Sequence, residues 1–232
     1  DQDSIYKQIL KKSVFSAEQS SNYLQSLYST QIDKARNHLI KGHTICVEGL
    51  IGVGKTSLIN ILLSSLEYNS VHIVANNYTS QSQLLLGIFL DIWGIPIHTI
   101  VKDFSDDIID RIVKTIDNKS KEKGIGRIIR HLIGKTVPNG IADEHYNSLV
   151  CDYLIDILRM HRPNISYIFF IENAEKASEE VQILLAYICS LLIKNNIPCI
   201  IEKNKSEYQV MESERADIFY YTLKNMCYHS VP

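Results

Sequence analysis

The sequence has no strong excess of charge, no long apolar run and no paired cysteine motif, and each absence excludes a class of protein. Its 24 Lys and Arg residues against 26 Asp and Glu residues give a net charge of −2, which excludes a globally basic nucleic-acid-binding protein. The apolar runs end well before the roughly 18 residues that a membrane-spanning helix needs. With 10 Gly and 5 Pro in 232 residues, the chain is neither collagen-like nor of low complexity.

The cysteines bear on the cellular compartment of the protein, and the two ends of the sequence bear on whether it is a piece of a longer one. Five widely spaced cysteines form neither a CxxC pair nor a Cys/His cluster with zinc spacing, which predicts buried, reduced thiols in a cytoplasmic or nuclear protein. The polar, acidic N-terminus does not resemble a signal peptide. Because the chain begins without Met and ends without a clear stop signal, we expect it to be a piece of a longer protein. The cysteines are Cys46, Cys151, Cys189, Cys199 and Cys227.

Apolar residues alternate between strand-like and helix-like spacing along most of the chain. The pattern predicts strands at residues 43–48, 71–75, 167–171, 197–201 and 218–223, and helices at 56–66, 82–93, from 105, 142–160 and 178–194. Strands separated by helices imply parallel β-α units, so we predict an α/β fold with a doubly wound, mostly parallel sheet. Such folds place their ligand sites at the carboxyl ends of the strands. A helical arm over residues 1–29 precedes this main domain of residues 30–232.

One motif carries most of the functional information. Gly49-Leu50-Ile51-Gly52-Val53-Gly54-Lys55-Thr56 matches G-x-x-x-x-G-K-[ST] in full and lies between a predicted strand and a predicted helix. Its glycines allow backbone N–H groups to converge on phosphate oxygens at the helix N-terminus. Lys55 is predicted to reach the β and γ phosphates of ATP, and the hydroxyl of Thr56 to hold Mg²⁺. With the adjacent Ser57, this segment is the predicted nucleotide site.

A P-loop also needs an acid that positions Mg²⁺ or the attacking water. The run Tyr167–Ile171 is followed by Glu172 and Asn173, which predicts an acid at the strand's carboxyl end, at the same edge of the sheet as the loop. We therefore assign Glu172 a catalytic and metal-binding role. The alternative is a strand-ending acid that merely caps the following turn.

The order of these features resembles the AAA+ superfamily and its relatives, the STAND signalling ATPases and the origin-recognition-type initiators. The resemblance lies in a leading helix from Ser29, the strand and P-loop, a long insertion, the strand ending at Glu172, the segment EKASEEVQILLAYICSLL and the strand IPCII. It covers roughly residues 25–225. It implies a P-loop NTPase with a three-layer αβα sandwich and an AAA+-like core. It further implies ATP and Mg²⁺ as ligands and other subunits as partners, in a homo- or hetero-oligomer.

The resemblance also implies roles for single residues, with two departures from the family pattern. These families usually have Asp at the position of Glu172 and, in active AAA+ enzymes, a water-activating Glu at the position of Asn173. An amide accepts no proton at neutral pH, so hydrolysis is expected to be slow or partner-dependent. The sensor position maps to Asn204 or Lys203. The arginine finger maps to Arg215, for which a solvated surface ion pair is the alternative.

A basic segment lies within the near-neutral chain. Between Lys119 and Lys135 there are six Lys or Arg residues and one Glu, with isoleucines and leucine between them. This pattern predicts a basic insertion, at about residues 118–137, whose helix contacts nucleic acid, acidic lipid or a partner. The alternative is a mobile insertion with a solvated basic face. We predict DNA replication as one context and no membrane association.

Three functions remain open from the sequence. The first is an ATP-dependent switch or assembly ATPase of the AAA+ or STAND type. The second is a small-molecule kinase, because Val47–Thr56 also resembles the P-loop of deoxynucleoside and thymidylate kinases. Those kinases carry an Asp-Arg pair after a middle strand, whereas Asp110-Arg111 lies in a predicted helix here. The third is a subunit that binds ATP structurally. The resemblance to AAA+ and STAND proteins also implies a helical lid near Leu223, which we expect beyond Pro232.

Overall fold

The fold is built on a parallel sheet whose strand order differs from the order of the strands along the chain. The computed structural model describes residues 28–50, 52, 54–94, 110–111, 113–114, 125–136, 144–160, 166–205 and 229–231. In the sheet the strands follow one another in the order β2-β3-β4-β1-β5, and every pairing is parallel. The strands are β1 (Thr44–Leu50), β2 (Asn69–Val74), β3 (Tyr167–Glu172), β4 (Cys199–Lys205) and β5 (His229–Val231).

Helices cover both faces of this sheet. They are α1 (Ser29–Ile40), α2 (Lys55–Ser64), α3 (Gln81–Ile92), α4 (Ile125–Thr136), α5 (Glu144–Met160) and α6 (Glu179–Lys194). Short 3-10 turns, Ala75–Asn77 and Ala174–Lys176, follow β2 and β3. None of the helices in the described part of the chain is long and apolar enough to cross a membrane.

The alternation of side chains along the strands divides the core in two. Ile168 and Phe170 of β3 point to the face covered by α1 and α2, where they join Ile45 and Leu62. Phe169 of β3 points to the other face and packs with α3, α4, α5 and α6. Because successive residues of a strand face opposite sides, one run of apolar residues serves both layers. This three-layer α/β arrangement confirms the predicted fold class.

The predicted strands and helices are found close to their expected limits, with one consequential difference. The strand predicted at 197–201 begins at Cys199 and continues to Lys205, because Glu202 to Lys205 pair in register with Val47 to Leu50 of β1. The sensor candidates Lys203 and Asn204, expected after this strand, are therefore part of it. The strand predicted at 218–223 and most of the helix predicted from 105 lie outside the described residues, as do Arg215 and residues 1–27.

The basic segment forms an amphipathic helix, α4, in the part that the structure describes. Ile125, Ile129 and Leu132 are fully buried in the core against α3, whereas Arg127 and Arg130 are exposed. The apolar face is thus used inside the protein, and the outer face carries positive charge. Arg130 pairs with Asp110, which removes part of that charge.

A close contact within the second core layer leads to a stability prediction. Gly87 of α3 lies against the ring of Tyr78, and a Cβ at this position would come within 2.5 Å of the Tyr78 hydroxyl oxygen. Both residues are buried, so the ring has little room to move. We expect Gly87→Ala to lower the free energy of unfolding by about 1–3 kcal/mol, the usual cost of overpacking a core.

Chemical denaturation of both proteins would measure this effect. Ile183→Ala on the exposed face of α6 is the control and should change the free energy by less than about 0.5 kcal/mol. Equal stability of Gly87→Ala and the wild-type protein would show that Tyr78 packs elsewhere.

Candidate functional site

The strand–loop–helix unit predicted from the sequence is present, and the two glycines described in its loop have a left-handed backbone. β1 ends at Leu50 and α2 begins at Lys55, so the loop leads directly into a helix N-terminus. Gly52 and Gly54 have φ values of 85° and 92°, a conformation that side chains with a Cβ rarely adopt. The hydroxyl-bearing Thr56 and Ser57 are exposed in the first turn of α2. Ile51 and Val53 lie outside the described residues.

Lys55 is held inside the loop. Its side chain is only 5% exposed, and Nζ donates a hydrogen bond of 2.7 Å to the backbone carbonyl of Leu50. Nζ also lies 3.9 Å from Oε1 of Glu202 on β4. A buried ammonium group needs such partners, because an unpaired charge in the interior is costly. The loop thus presents one positive charge at the point where the phosphates of a nucleotide would bind.

Glu202 is the acid that contacts the P-loop. The hydroxyl of Thr56 lies 3.3 Å and 3.2 Å from Oε1 and Oε2 of Glu202 and donates to this carboxylate. The contact follows from strand order, since β4 lies directly beside β1 and Glu202 pairs with Val47. Glu202 is buried, with 7% of its surface exposed.

The charges around Glu202 favour a cation at this position. Burial raises the pKa of Glu202, and the carboxylates of Glu172 and Glu175 raise it further, against the opposing effects of Thr56 and Lys55. Carboxylates gathered at one edge of a sheet repel one another, and a divalent cation relieves that repulsion. Burial is the largest cause of the raised pKa of Glu202, and the repulsion from the neighbouring carboxylates is the part that a cation would relieve.

Glu172 lies one strand further from the P-loop than Glu202. It ends β3, which is separated from β1 by β4, and its Oε2 lies 3.3 Å from Nε2 of His72 on the neighbouring β2. The ring of His72 stacks on Phe170, with centroids 4.6 Å apart and planes inclined by 6°. Glu172 is thus at the predicted edge of the sheet, in contact with a histidine that sequence reasoning did not connect to it.

The remaining predicted residues form a second set of contacts at the same edge. Asn173 has a left-handed backbone with φ of 54°, and its Oδ1 accepts a hydrogen bond of 3.0 Å from Nζ of Lys176. Asn204 donates from Nδ2 to Oε1 of Glu175 over 3.2 Å. The sensor candidate of β4 is therefore tied to the turn after β3, which connects the ends of these two strands.

The donor set fits Mg²⁺. This ion prefers oxygen ligands and usually binds through one or two carboxylates together with substrate phosphates and water. The exposed hydroxyl of Thr56 and the carboxylate of Glu202 supply such oxygens side by side. The described residues contain no group of three or more His, Cys, Asp or Glu side chains that could hold a metal alone, so the phosphates would complete the site. When bound, Mg²⁺ would neutralise charge on the phosphates.

Sequence reasoning missed Glu202 although a signal was present. Ile201-Glu202 repeats the pattern of Ile171-Glu172, an acid directly after a buried apolar run. His72 offered no comparable signal, because a single histidine in a strand is common. Only the order of the strands in the sheet brings Glu202 beside Thr56 and His72 beside Glu172.

Two cavities lie at the opposite edge of the sheet from these residues. One, of about 350 Å³, is lined by residues that include Gly42, Tyr68 and Asn196. The other, of about 400 Å³, lies between the beginnings of β2 and β3 and the end of α3, near Asp91. Ligand sites of parallel sheets lie at the carboxyl ends of the strands, so neither cavity belongs to the P-loop site.

The parallel sheet, the glycine-rich loop and the helix that follows it define a P-loop NTPase fold with a nucleotide-binding loop. Among known proteins, the deoxynucleoside kinase family profile matches residues 45–117, about a third of the chain. No curated protein matches the sequence significantly.

One solved structure with a detectable likeness is titled "Structure of C. elegans PCH-2". It is 14% identical, with a TM-score of 0.33, over 92% of this chain and 43% of that chain. The chain therefore spans less than half the length of that protein. A likeness at this level transfers no function.

Proposed function

We propose that this protein is an ATP-dependent switch or assembly ATPase of the AAA+ or STAND type, with slow or partner-dependent hydrolysis. The observation that carries the proposal is the contact of Lys55 and Thr56 with the buried Glu202 at the start of α2. This arrangement offers a cation for phosphates and oxygens for Mg²⁺ at one helix N-terminus. ATP and Mg²⁺ are the proposed ligands.

Slow hydrolysis is inferred from Asn173. Its side-chain oxygen accepts a hydrogen bond from Lys176, and an amide takes no proton from water at neutral pH. A subunit interface that supplies a further charged group would then control turnover, and Arg215 is the candidate for that group. The proposed partners are other subunits, in a homo- or hetero-oligomer that belongs to a DNA-associated, initiator-type complex.

Nucleic acid is proposed to contact the outer face of α4. Arg127 and Arg130 are exposed there, while the apolar residues of the helix are buried in the core. Binding of this kind depends on phosphate contacts and weakens as salt is added.

A small-molecule kinase is the second candidate, because the deoxynucleoside kinase profile covers the P-loop. The environment of Asp110, the acid of the Asp-Arg pair, argues against a kinase. Residues 110 and 111 are helical, and the half-exposed carboxylate of Asp110 pairs with Arg130. An acid that acts on a substrate hydroxyl would need to face the phosphates.

ATP binding and turnover, measured together with and without nucleosides and DNA, would separate these functions. We expect ATP to bind and to be hydrolysed at less than about one turnover per minute, whereas kinases phosphorylate acceptors at roughly 1–100 per second. Fast transfer to a nucleoside would establish the kinase. The absence of any thermal stabilisation by millimolar nucleotide would exclude both functions.

A further inference from the structure

The cavity near Asp91 has the size of a small-molecule site. Its volume is about 400 Å³, and it lies between the start of β2 and the end of α3, at the edge of the sheet opposite the P-loop. Sites for small molecules usually have volumes of about 300–1,000 Å³, whereas one water molecule occupies about 30 Å³. The space is thus far larger than a bare ion or a single water molecule needs.

The strand register explains the walls of this cavity. Asn69 of β2 pairs with Tyr167 of β3, and both residues line the space. Tyr167 and Val71 belong to the core layer that α3 covers, and alternation along the strand places Asn69 on the same face as Val71. Trp93, directly after α3, is a further lining residue, and its ring stacks on Phe89 with centroids 5.9 Å apart. Two aromatic residues anchored in the core therefore line the cavity.

Asp91 gives the cavity a negative charge. It is the only charged residue among the described residues that line the space. Its Oδ2 accepts a hydrogen bond of 2.9 Å from the backbone N–H of His72, and within the described part of the chain Asp91 forms no ion pair. Burial raises the pKa of Asp91, against the lowering effect of His72. A bound cation would stabilise the charged form of this half-buried carboxylate.

The end of α3 acts in the same direction as this carboxylate. A helix C-terminus carries partial negative charge, which favours a basic side chain in the last turn. The last turn of α3 has no basic residue, and Asp91 lies there instead. The helix end and the acid therefore both favour a positive group in the cavity beside them.

We propose that this cavity binds a small organic cation, with its ammonium group on Asp91 and its apolar body against Trp93 and Tyr167. An anion is disfavoured, because no Lys or Arg is among the described residues that line the space. A divalent metal is disfavoured because it needs several ligands, and the described residues contain no group of three or more His, Cys, Asp or Glu side chains that could hold one. Aromatic walls favour organic cations, whose charge is attracted to the faces of the rings.

The sequence contains a reporter for this site, because Trp93 is its only tryptophan. The indole N–H of Trp93 gives a single resonance in a proton–nitrogen correlation spectrum, which can be followed as a ligand is added. Benzylamine is the probe, since it carries an ammonium group on an aromatic body, and benzyl alcohol is its neutral counterpart. We expect millimolar benzylamine to shift the indole resonance saturably and to bind at least about tenfold more tightly than benzyl alcohol, the effect of one charged hydrogen bond.

Two variants test the roles assigned to the walls. Asp91→Asn removes the charge and keeps an oxygen for the backbone N–H of His72, and Asp33→Asn at an exposed position of α1 is the matched control. We expect Asp91→Asn to weaken benzylamine binding by about tenfold or more and to leave benzyl alcohol binding within about twofold. Asn69→Phe, at an exposed position, should fill the space and weaken the binding of both probes. Circular dichroism and thermal melting check that each variant folds.

A third probe distinguishes a free cation from the side chain of a protein. It is a tripeptide with a central lysine and blocked ends, which presents the same ammonium group. We expect it to bind more weakly than benzylamine, because its backbone adds bulk that the cavity does not accommodate. Tighter binding of the peptide would overturn the assignment to a small molecule.

Three other results would overturn the proposal. They are equal affinities for benzylamine and benzyl alcohol, unchanged benzylamine affinity in a folded Asp91→Asn protein, and no saturable shift at Trp93. If Asp91→Asn does not fold, the two probes and Asn69→Phe still decide, since neither comparison needs that variant. None of these measurements requires a nucleotide, so a failure of the proposed ATP-binding function would leave this site standing.

Discussion

Replacing Lys55 by Ala should weaken ATP binding by about one to two orders of magnitude. Its ammonium group is the buried positive charge of the loop, held by the carbonyl of Leu50 and by Glu202. On nucleotide binding it would exchange these partners for phosphate oxygens. A hydrogen bond between charged groups contributes about 1.5–3 kcal/mol, and 1.4 kcal/mol corresponds to a tenfold change in affinity. Calorimetric titration with ATP would measure the loss.

A second substitution separates the charge of Lys55 from its packing. Lys55→Ala also leaves the buried Glu202 without its cation, so some loss of stability is expected. Lys55→Met keeps the apolar stem and should show the same loss of affinity with a smaller change in melting temperature. Lys41→Ala, at an exposed lysine, is the control and should bind ATP normally. Unchanged ATP affinity in Lys55→Met would mean that this loop does not bind phosphates.

Replacing Gly42 by Ala should lower the free energy of unfolding by about 2–5 kcal/mol. Gly42 has a φ of 77°, and a Cβ there would lie 2.1 Å from the backbone carbonyl oxygen of Asn196. A left-handed conformation costs a residue with a Cβ about 1–2 kcal/mol, and the collision with backbone adds an overpacking cost of about 1–3 kcal/mol. The turn before β1 and the turn before β4 would be forced apart.

Gly94 provides a matched control for this prediction. It also has a positive φ, 64°, but nothing lies within 4 Å of a Cβ placed on it. Gly94→Ala should therefore show the conformational cost alone, about 1–2 kcal/mol, by chemical denaturation. The difference between the two variants measures the collision with Asn196. If both variants lose the same stability, the two turns do not touch.

Gly42 precedes β1, and Lys55 begins α2 after the loop that follows β1. Gly42 sets where β1 begins beside β4, and this pairing carries Glu202 to its place near Thr56. We therefore expect a destabilised Gly42→Ala protein that still folds at low temperature to retain ATP binding. The loss of stability in Gly42→Ala and the loss of ATP binding in Lys55→Met would then be separable, although the two positions flank the same strand.

The elements with strong sequence signals were predicted well. The apolar run Tyr167–Ile171 and the helix at 178–194 were found within two residues of their limits, because burial on both faces leaves a continuous pattern. The carboxyl end of β4 was missed, since Glu202 to Lys205 are polar and owe their extended conformation to pairing with β1. Local propensity carries no information on such pairing.

The sequence by itself determined the P-loop. A glycine-rich segment with Lys55 and Thr56, placed between an apolar run and a helical pattern, specifies strand, loop and helix through local backbone preferences. It also determined that two apolar runs end in Ile-Glu, at Glu172 and Glu202.

Only the tertiary structure decided which of these acids meets the loop. The order β2-β3-β4-β1-β5 inserts β4 between the P-loop strand and β3, so Glu202 lies beside Thr56 and Glu172 lies beside His72. Strand order depends on how helices pack on both faces of the sheet, which is a property of the whole core. The sequence thus determined that both strands end in a glutamate, and tertiary packing determined which residues each glutamate contacts.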